Sequence, residues 1–288
     1  MDRKRSVFEV STTNRIIIGV CVWYALSLSP TFAGDRLAIW RVVHDRCVVA
    51  QLLKRHPSPC EMVDLTDDGI RGYAILKDSV GRAQFLLIPT KQIPGIESPE
   101  LLKPDSPNYW QKAWSARKYV IGRVGRDLPR STVGMAVNSA MTRSQDQLHI
   151  HIDCVQPTVA SLLREHIADV TQDWAELGFD LSGRRYIAKR VVSADLEGIN
   201  PFLLLAEGIE AARADMARQT LVVVGARFAD GEDGFILLAG HGDPSTGNTA
   251  NGEDLLDHSC ALSDALPRML PVINQQGPGE TLRVSRQP

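Results

Sequence analysis

Residues 145–154 read QDQLHIHIDC, with two histidines in strict alternation with apolar residues. Successive side chains of a strand point to opposite faces, so His149, His151 and Asp153 share one face while Leu148, Ile150 and Ile152 share the other. One face suits packing and the other chemistry. Two imidazoles on one face admit three readings. They can hold a metal, since neutral imidazole is a common ligand and Asp153 adds a carboxylate. A catalytic zinc site wants a third strong ligand, however, and His44, His56, His166, His241 and His258 are too scattered for the sequence to nominate one. They can instead be satisfied core residues. Or an imidazole nitrogen can attack phosphorus to form a phosphoramidate, dividing one difficult displacement into two easier ones.

The third reading makes demands on neighbouring residues. The nucleophile's other nitrogen must be held so that the attacking one presents its lone pair, and donors must meet the charged phosphoryl oxygens. Asn138, Ser144, Gln145 and His151 are of suitable type on neighbouring segments. Phosphoryl or nucleotidyl transfer is therefore the chemistry that fits the strand best.

The elements that must position this strand can be read on either side of it. Arg36 to Leu53 has the pattern of an amphipathic helix, ended by the prolines of HPSPC. GYAILKD (72–78) and AQFLLIP (83–89) predict a hairpin, and a Pro, Gly and Ser-rich loop leads into the aromatic helix 109–125. STVGMAVNS (131–139) predicts the strand before the histidine strand, so the first half reads β-β-α-β-β. The second half repeats that order weakly: strands at 184–192 and 201–207, a helix at 208–219, and a hairpin of 220–228 with 234–240. An internal duplication and a chance recurrence of a common α+β order both account for this. Residues 241–254 read as a loop and 271–288 as a flexible tail. Tyr109, Trp110 and Trp114 either line a pocket or, more commonly for aromatics, pack in the core.

Composition narrows the class. The chain has 288 residues, 44% of them hydrophobic, and a net charge of -2. That is an ordinary globular make-up with no basic stripe for nucleic acid. The amino terminus has the layout of a secretory signal: basic residues up to Arg15, the apolar run IIIGVCVWYALSL at 16–28, and small residues with a cleavage point after Ala33. The same segment, residues 1–34, can serve as a retained membrane anchor. Outside it lie Cys47, Cys60, Cys154 and Cys260, an even set as export would favour. The spacing of 13 between Cys47 and Cys60 suits a local bridge, but four cysteines allow three connectivities and sequence alone does not choose.

QLHIHID resembles the signature of the histidine triad superfamily, His-φ-His-φ-His-φ-φ on the last strand of a β-β-α-β-β unit. Gln147 replaces the first histidine, and Pro89-Thr90-Lys91-Gln92 lacks the histidine usual after the second strand. The order of HPSPC, GYAILKD, QFLLIPT, GIESPELL, the helix from Asn108 to Arg117, VNS, TRSQ, HIHIDC, YIAKRV, PFLLLAE and DHSC is similar to the bacterial CDP-diacylglycerol pyrophosphatases. This second resemblance spans nearly all the chain after the leader.

These resemblances imply a histidine-triad-like antiparallel sheet with helices, as a catalytic half (35–183) and a degenerate half (184–270). They imply His149 as nucleophile and His151, Asn138, Ser144 and Gln145 as phosphate ligands, with Lys77 and Arg143 adding positive charge. No metal or cofactor is called for. The substrates would be CDP-diacylglycerol and water, and the enzyme would sit at the bacterial inner membrane facing the periplasm. The family's cysteines match Cys47, Cys60, Cys154 and Cys260, which favours disulfides. Two other functions stay open: hydrolysis or transfer on another nucleotide diphosphate, and an inactive lipid-binding module. The oligomeric state is not legible.

Overall fold

The alternating residues of YAILK and FLLIP form the expected hairpin, and the sheet extends outward from it on both sides. The computed structural model describes residues 34–266, which fall in one compact unit. In chain order its strands are β1 (Met62–Asp64), β2 (Tyr73–Lys77), β3 (Phe85–Pro89), β4 (Val133–Val137), β5 (Ile150–Val155), β6 (Ala175–Glu176), β7 (Ile187–Val192), β8 (Gln219–Arg227), β9 (Asp233–His241) and β10 (Leu256–Asp257). They make one antiparallel sheet in the order β1-β2-β3-β5-β4-β8-β9-β7-β6, with β10 paired to β5 off that path. The α+β class is as expected.

Helices cover both faces. On the first lie α3 (Tyr109–Val124), α5 (Pro201–Gly208) and α6 (Glu210–Ala214). Asn108 caps α3 by accepting from the Gln111 amide, and Gly125 ends it with a left-handed φ of 71° that a side chain would resist. Its Tyr109, Trp110 and Trp114 are buried with Phe85, Leu87, Met135, Ile150 and Ile152. The three aromatics are thus core residues, each contributing roughly 1.5–3 kcal/mol or more through burial. On the second face, α1 (Ala38–Arg41), a π-helical stretch (Val42–Val48) and α2 (Val49–Lys54) form one continuous helix. It sets Val43 and Cys47 over Ala74, Leu86 and Ile88. Further along that face α4 (Pro157–Glu165) sets Val159 and Leu163 against Val222, Val224, Ile236 and Leu238. Between these two coverings the face of His149, His151 and Asp153 is left for other work.

Two disulfides are present, Cys47–Cys60 and Cys154–Cys260. The first fixes the amino-terminal helix to the edge of the sheet, and the second ties β5 to the segment after β10.

Some expectations fail. PFLLLAE (201–207) is the helix α5 and not a strand, because Asn200 caps it by accepting from the Phe202 amide and Pro201 occupies its first turn. The helix expected over 208–219 is shorter: α6 ends at Ala214, a 3₁₀ turn follows, and Gln219 already belongs to β8. The second half therefore reads β-α-α-β-β-β in place of the expected β-β-α-β-β. The halves also exchange strands, since β6 pairs with β7 and β10 with β5. The leader up to Ala33 and the tail 271–288 lie outside the described residues. Among the described residues no helix is long and apolar enough to cross a membrane.

Candidate active site

β5 sits between β3 and β4, with His151 in register with Leu86 and Ala136. His149, His151 and Asp153 are all buried, and the two imidazole rings meet edge to face with centroids 4.8 Å apart. The Nδ1 of His149 lies 2.7 Å from the backbone carbonyl of Gln147. A carbonyl only accepts, so Nδ1 carries the proton and Nε2 presents its lone pair. Burial, reinforced by repulsion from His151, pushes the His149 imidazole down to about 4. The ring is therefore neutral and nucleophilic at ordinary pH.

Gln147, two residues before His149, supports the site from below. Its amide donates to the carbonyls of Pro89 and Lys91, both at 3.0 Å, and accepts from the Ile93 amide at 3.0 Å. This buried side chain ties the loop after β3 to the start of the histidine strand. Its own carbonyl is the group that orients His149.

His151 is held from a distant part of the chain. Its Nδ1 lies 3.0 Å from Oε1 of Glu253, while its Nε2 is buried without a protein partner. Nδ1 faces a carboxylate and is assigned the proton on that ground. The Gln84 amide stands 2.8 Å from the same Nδ1 and donates to Asp78 at 2.9 Å and Glu253 at 3.1 Å. Burial tends to raise the Glu253 carboxyl, but His151, Asn138 and Gln84 outweigh it and bring it to about 2. Glu253 is thus a fixed negative charge.

Asn138 builds the loop that delivers Glu253. Its Nδ2 donates to Oε2 of Glu253 at 2.7 Å, and its Oδ1 accepts from the amides of Gly252 and Glu253 at 2.9 and 3.2 Å. A Cβ on Gly252 would lie 2.5 Å from the Thr220 hydroxyl, so any side chain there would displace the loop. Behind this lies a second pair: buried Asp153 accepts from His258 Nδ1 at 2.9 Å, and His258 Nε2 stands 3.9 Å from Glu253. The hydrogen bond to Asp153 raises the His258 imidazole, whereas burial raises Asp153 against the pull of His258.

A cavity of about 480 Å³ opens onto the histidines. It gathers His149, His151, Glu253, Lys77, Ser144 and Gln145, and its remaining wall includes Ala38, Ile39, Val42, Leu76, Val80 and Leu86. Ser144 is exposed at the mouth. Lys77 donates to the carbonyls of Asp78 and Gly81 at 2.6 and 3.0 Å. Gln145 accepts from the Ile39 amide at 3.0 Å and donates to the Asp35 carbonyl at 3.1 Å, so it secures the start of α1. Arg143 lies outside the cavity lining, in a two-pronged pair with Glu97 at 2.7 and 2.8 Å and a contact of 3.2 Å to Asp146. Asn138 likewise stands behind the cavity. The sequence-selected residues therefore divide into a lining group and a supporting group.

Among the described residues the cluster of metal-ligand types Asp153, Cys154 and Cys260 has both sulfurs in the disulfide, leaving one carboxylate. Glu253, Gln84 and the Asp153–His258 pair escaped sequence reasoning. Only the DHSC block that contains His258 carried a signal.

An α+β sheet with paired imidazoles at the start of an interior strand defines a class of protein built for work at one buried centre. The family model for CDP-diacylglycerol pyrophosphatase matches residues 34–264. A CDP-diacylglycerol pyrophosphatase of Yersinia pestis is 37% identical over 230 residues, covering 80% of this chain and 86% of that protein. The chain belongs to the CDP-diacylglycerol pyrophosphatase family.

Proposed function

We propose that the protein hydrolyses CDP-diacylglycerol to CMP and phosphatidate through a cytidylyl-histidine intermediate on His149. Family membership supports the substrate and reaction. The observation that carries the mechanism is the neutral His149, its Nδ1 bound to the Gln147 carbonyl and its Nε2 free to attack.

In the first step Nε2 bonds to the cytidine-side phosphorus, the bond from that phosphorus to the bridging oxygen breaks, and phosphatidate leaves with the electron pair. In the second, water bonds to phosphorus, the phosphorus–nitrogen bond breaks, and the electron pair returns to Nε2 while water's proton passes to solvent. In the complex His151 acts as an imidazolium, giving its Nδ1–H to Glu253 and its otherwise unpartnered Nε2–H to a nonbridging oxygen. Ser144 and Lys77 receive the phosphates at the mouth, while Asn138, Gln145 and Arg143 hold the groups around them. The first half is read as a histidine-triad-like unit and the second as a degenerate companion. The leader places the protein at the bacterial inner membrane, facing the periplasm, where the lipid resides.

The test is a single turnover with CDP-diacylglycerol labelled in the cytidine-side phosphate, acid-free denaturation, and intact mass of wild type beside His149→Ala. A CMP-sized adduct on wild type alone is expected. No adduct and no CMP from either protein would remove the hydrolase reading in favour of a lipid-binding module. CMP from a soluble nucleotide diphosphate in preference to the lipid would shift the substrate.

A further inference from the structure

The cavity is two-sided. One side carries His149, His151, Glu253, Asp78 and Lys77, and the other is apolar. Half of that apolar side comes from the start of the amino-terminal helix, Ala38, Ile39 and Val42, and Val80 on the β2–β3 turn adds to it. The aliphatic wall adjoins the phosphorus-binding end, so the part of a ligand that extends along it from the reacting phosphorus meets apolar side chains.

Three further observations bear on the wall's role. The segment before α1 is fastened to the site: Arg36 grips Asp146 with two bonds of 2.6 and 2.7 Å, and the Asp146 amide donates to the Arg36 carbonyl at 2.6 Å. The segment leading into the wall is therefore anchored at Asp146, three residues before His149. Val80 at the cavity is 54% exposed, and the helix that carries the wall exposes further apolar residues towards its end, Val49 at 43%, Leu52 at 65% and Leu53 at 77%. Arg46, Lys54 and Arg55 accompany them beside a single acidic residue, Asp45, while Arg41 is paired with Asp35, and basic residues beside exposed apolar ones suit an anionic lipid surface. Finally, in the sequence the apolar run 16–28 ends ten residues before α1 begins.

We propose that the wall of Ala38, Ile39, Val42 and Val80 is the subsite for the diacylglycerol end of the substrate. The helix carrying it, 38–54, is then the lipid-facing element along which acyl chains enter the cavity. The proposal rests on the pyrophosphatase reading and adds to it the place where the lipid half lies. It makes the apolar wall a determinant of specificity for long-chain lipid over the same pyrophosphate with short chains.

The experiment uses the full chain in mixed micelles with dioleoyl and dibutyroyl CDP-diacylglycerol. For wild type, Ile39→Ser/Val42→Ser and Val80→Ser, the ratio of kcat/KM for the long-chain over the short-chain substrate is measured, with thermal unfolding followed in parallel. The ratio should fall about tenfold or more in the double variant, since each lost aliphatic contact in a pocket is worth about tenfold or more. Val80→Ser, on an exposed turn where folding is not at stake, should move it in the same direction. An unchanged ratio in both variants would overturn the inference while leaving the hydrolase standing. Failure of wild type to release CMP from either lipid would instead overturn the pyrophosphatase reading and the subsite with it.

Discussion

His151 keeps its Nδ1 3.0 Å from Oε1 of Glu253, a residue from the loop before β10. The carboxylate fixes the ring and leaves Nε2 turned to the substrate's side, so Glu253 acts through His151. Replacing Glu253 with Gln should lower kcat by about 10- to 100-fold with a much smaller change in KM. Steady-state kinetics on the variant decide this, and a change confined to KM would count against it.

Removing the proposed nucleophile should be a sharper loss. His149→Ala should reduce CMP release by roughly 10³-fold or more, and no covalent adduct should accumulate. His151→Ala should still form adduct, slowly, because its role is to stabilise charge. Quench-flow measurement of adduct against CMP separates the two.

The two flanking imidazoles predict opposite pH behaviour. His149, held near 4, stays neutral through ordinary pH, so the first step should be flat from neutral down to about pH 5 and fail near 4. An unfolded histidine binds its proton near 6.5, so His149 makes folding stability decline as pH falls from about 6.5 through about 4. His258 is raised in the folded state, and its stabilisation is complete below about 6.5 and lost as pH climbs through the raised value. Thermal unfolding against pH should therefore lose its alkaline decline in Asp153→Asn and keep its acid one.

The disulfides should differ in weight. Cys154–Cys260 closes a separation of 106 residues and Cys47–Cys60 one of 13. Loop-closure entropy gives about 4–5 kcal/mol for the first and about 3 kcal/mol for the second. Denaturant unfolding of the paired Cys→Ala variants should preserve that order. Only the loss of Cys154–Cys260 should also slow CMP release, because it frees the segment bearing His258.

Gln145 offers a choice between two roles. Its amide holds Asp35 and Ile39, so Gln145→Ala should speed hydrogen exchange over residues 35–39 and raise KM more than it lowers kcat. A fall in kcat without faster exchange would return Gln145 to direct phosphate contact.

Much of the centre was legible because it is local. Alternation in LHIHID showed that both histidines share a face, and the turn-rich HPSPC matched the Cys47–Cys60 bridge that forms. What escaped was brought from elsewhere. Glu253 lies in a polar, glycine-containing loop whose sequence resembles any surface connection, and only its anchoring by Asn138 aims it at His151. Arg143, chosen for its charge beside the motif, is consumed by Glu97 and Asp146, carboxylates that no spacing rule links to it. PFLLLAE misled because a short apolar run fits strand and buried helix equally, although Asn200-Pro201 held the start signal for a helix.

The pairing of β6 with β7 and of β10 with β5 interlocks the chain's two parts like crossed fingers. A cut between residues 183 and 184 would send the partner of each of these short strands away on the other fragment. Such fragments are poor candidates for separate inheritance or for transplanting into other proteins. As a pair they carry their own recognition code for rejoining, so this hydrolase could be reconstituted from two polypeptides more readily than it could be reduced to one of them.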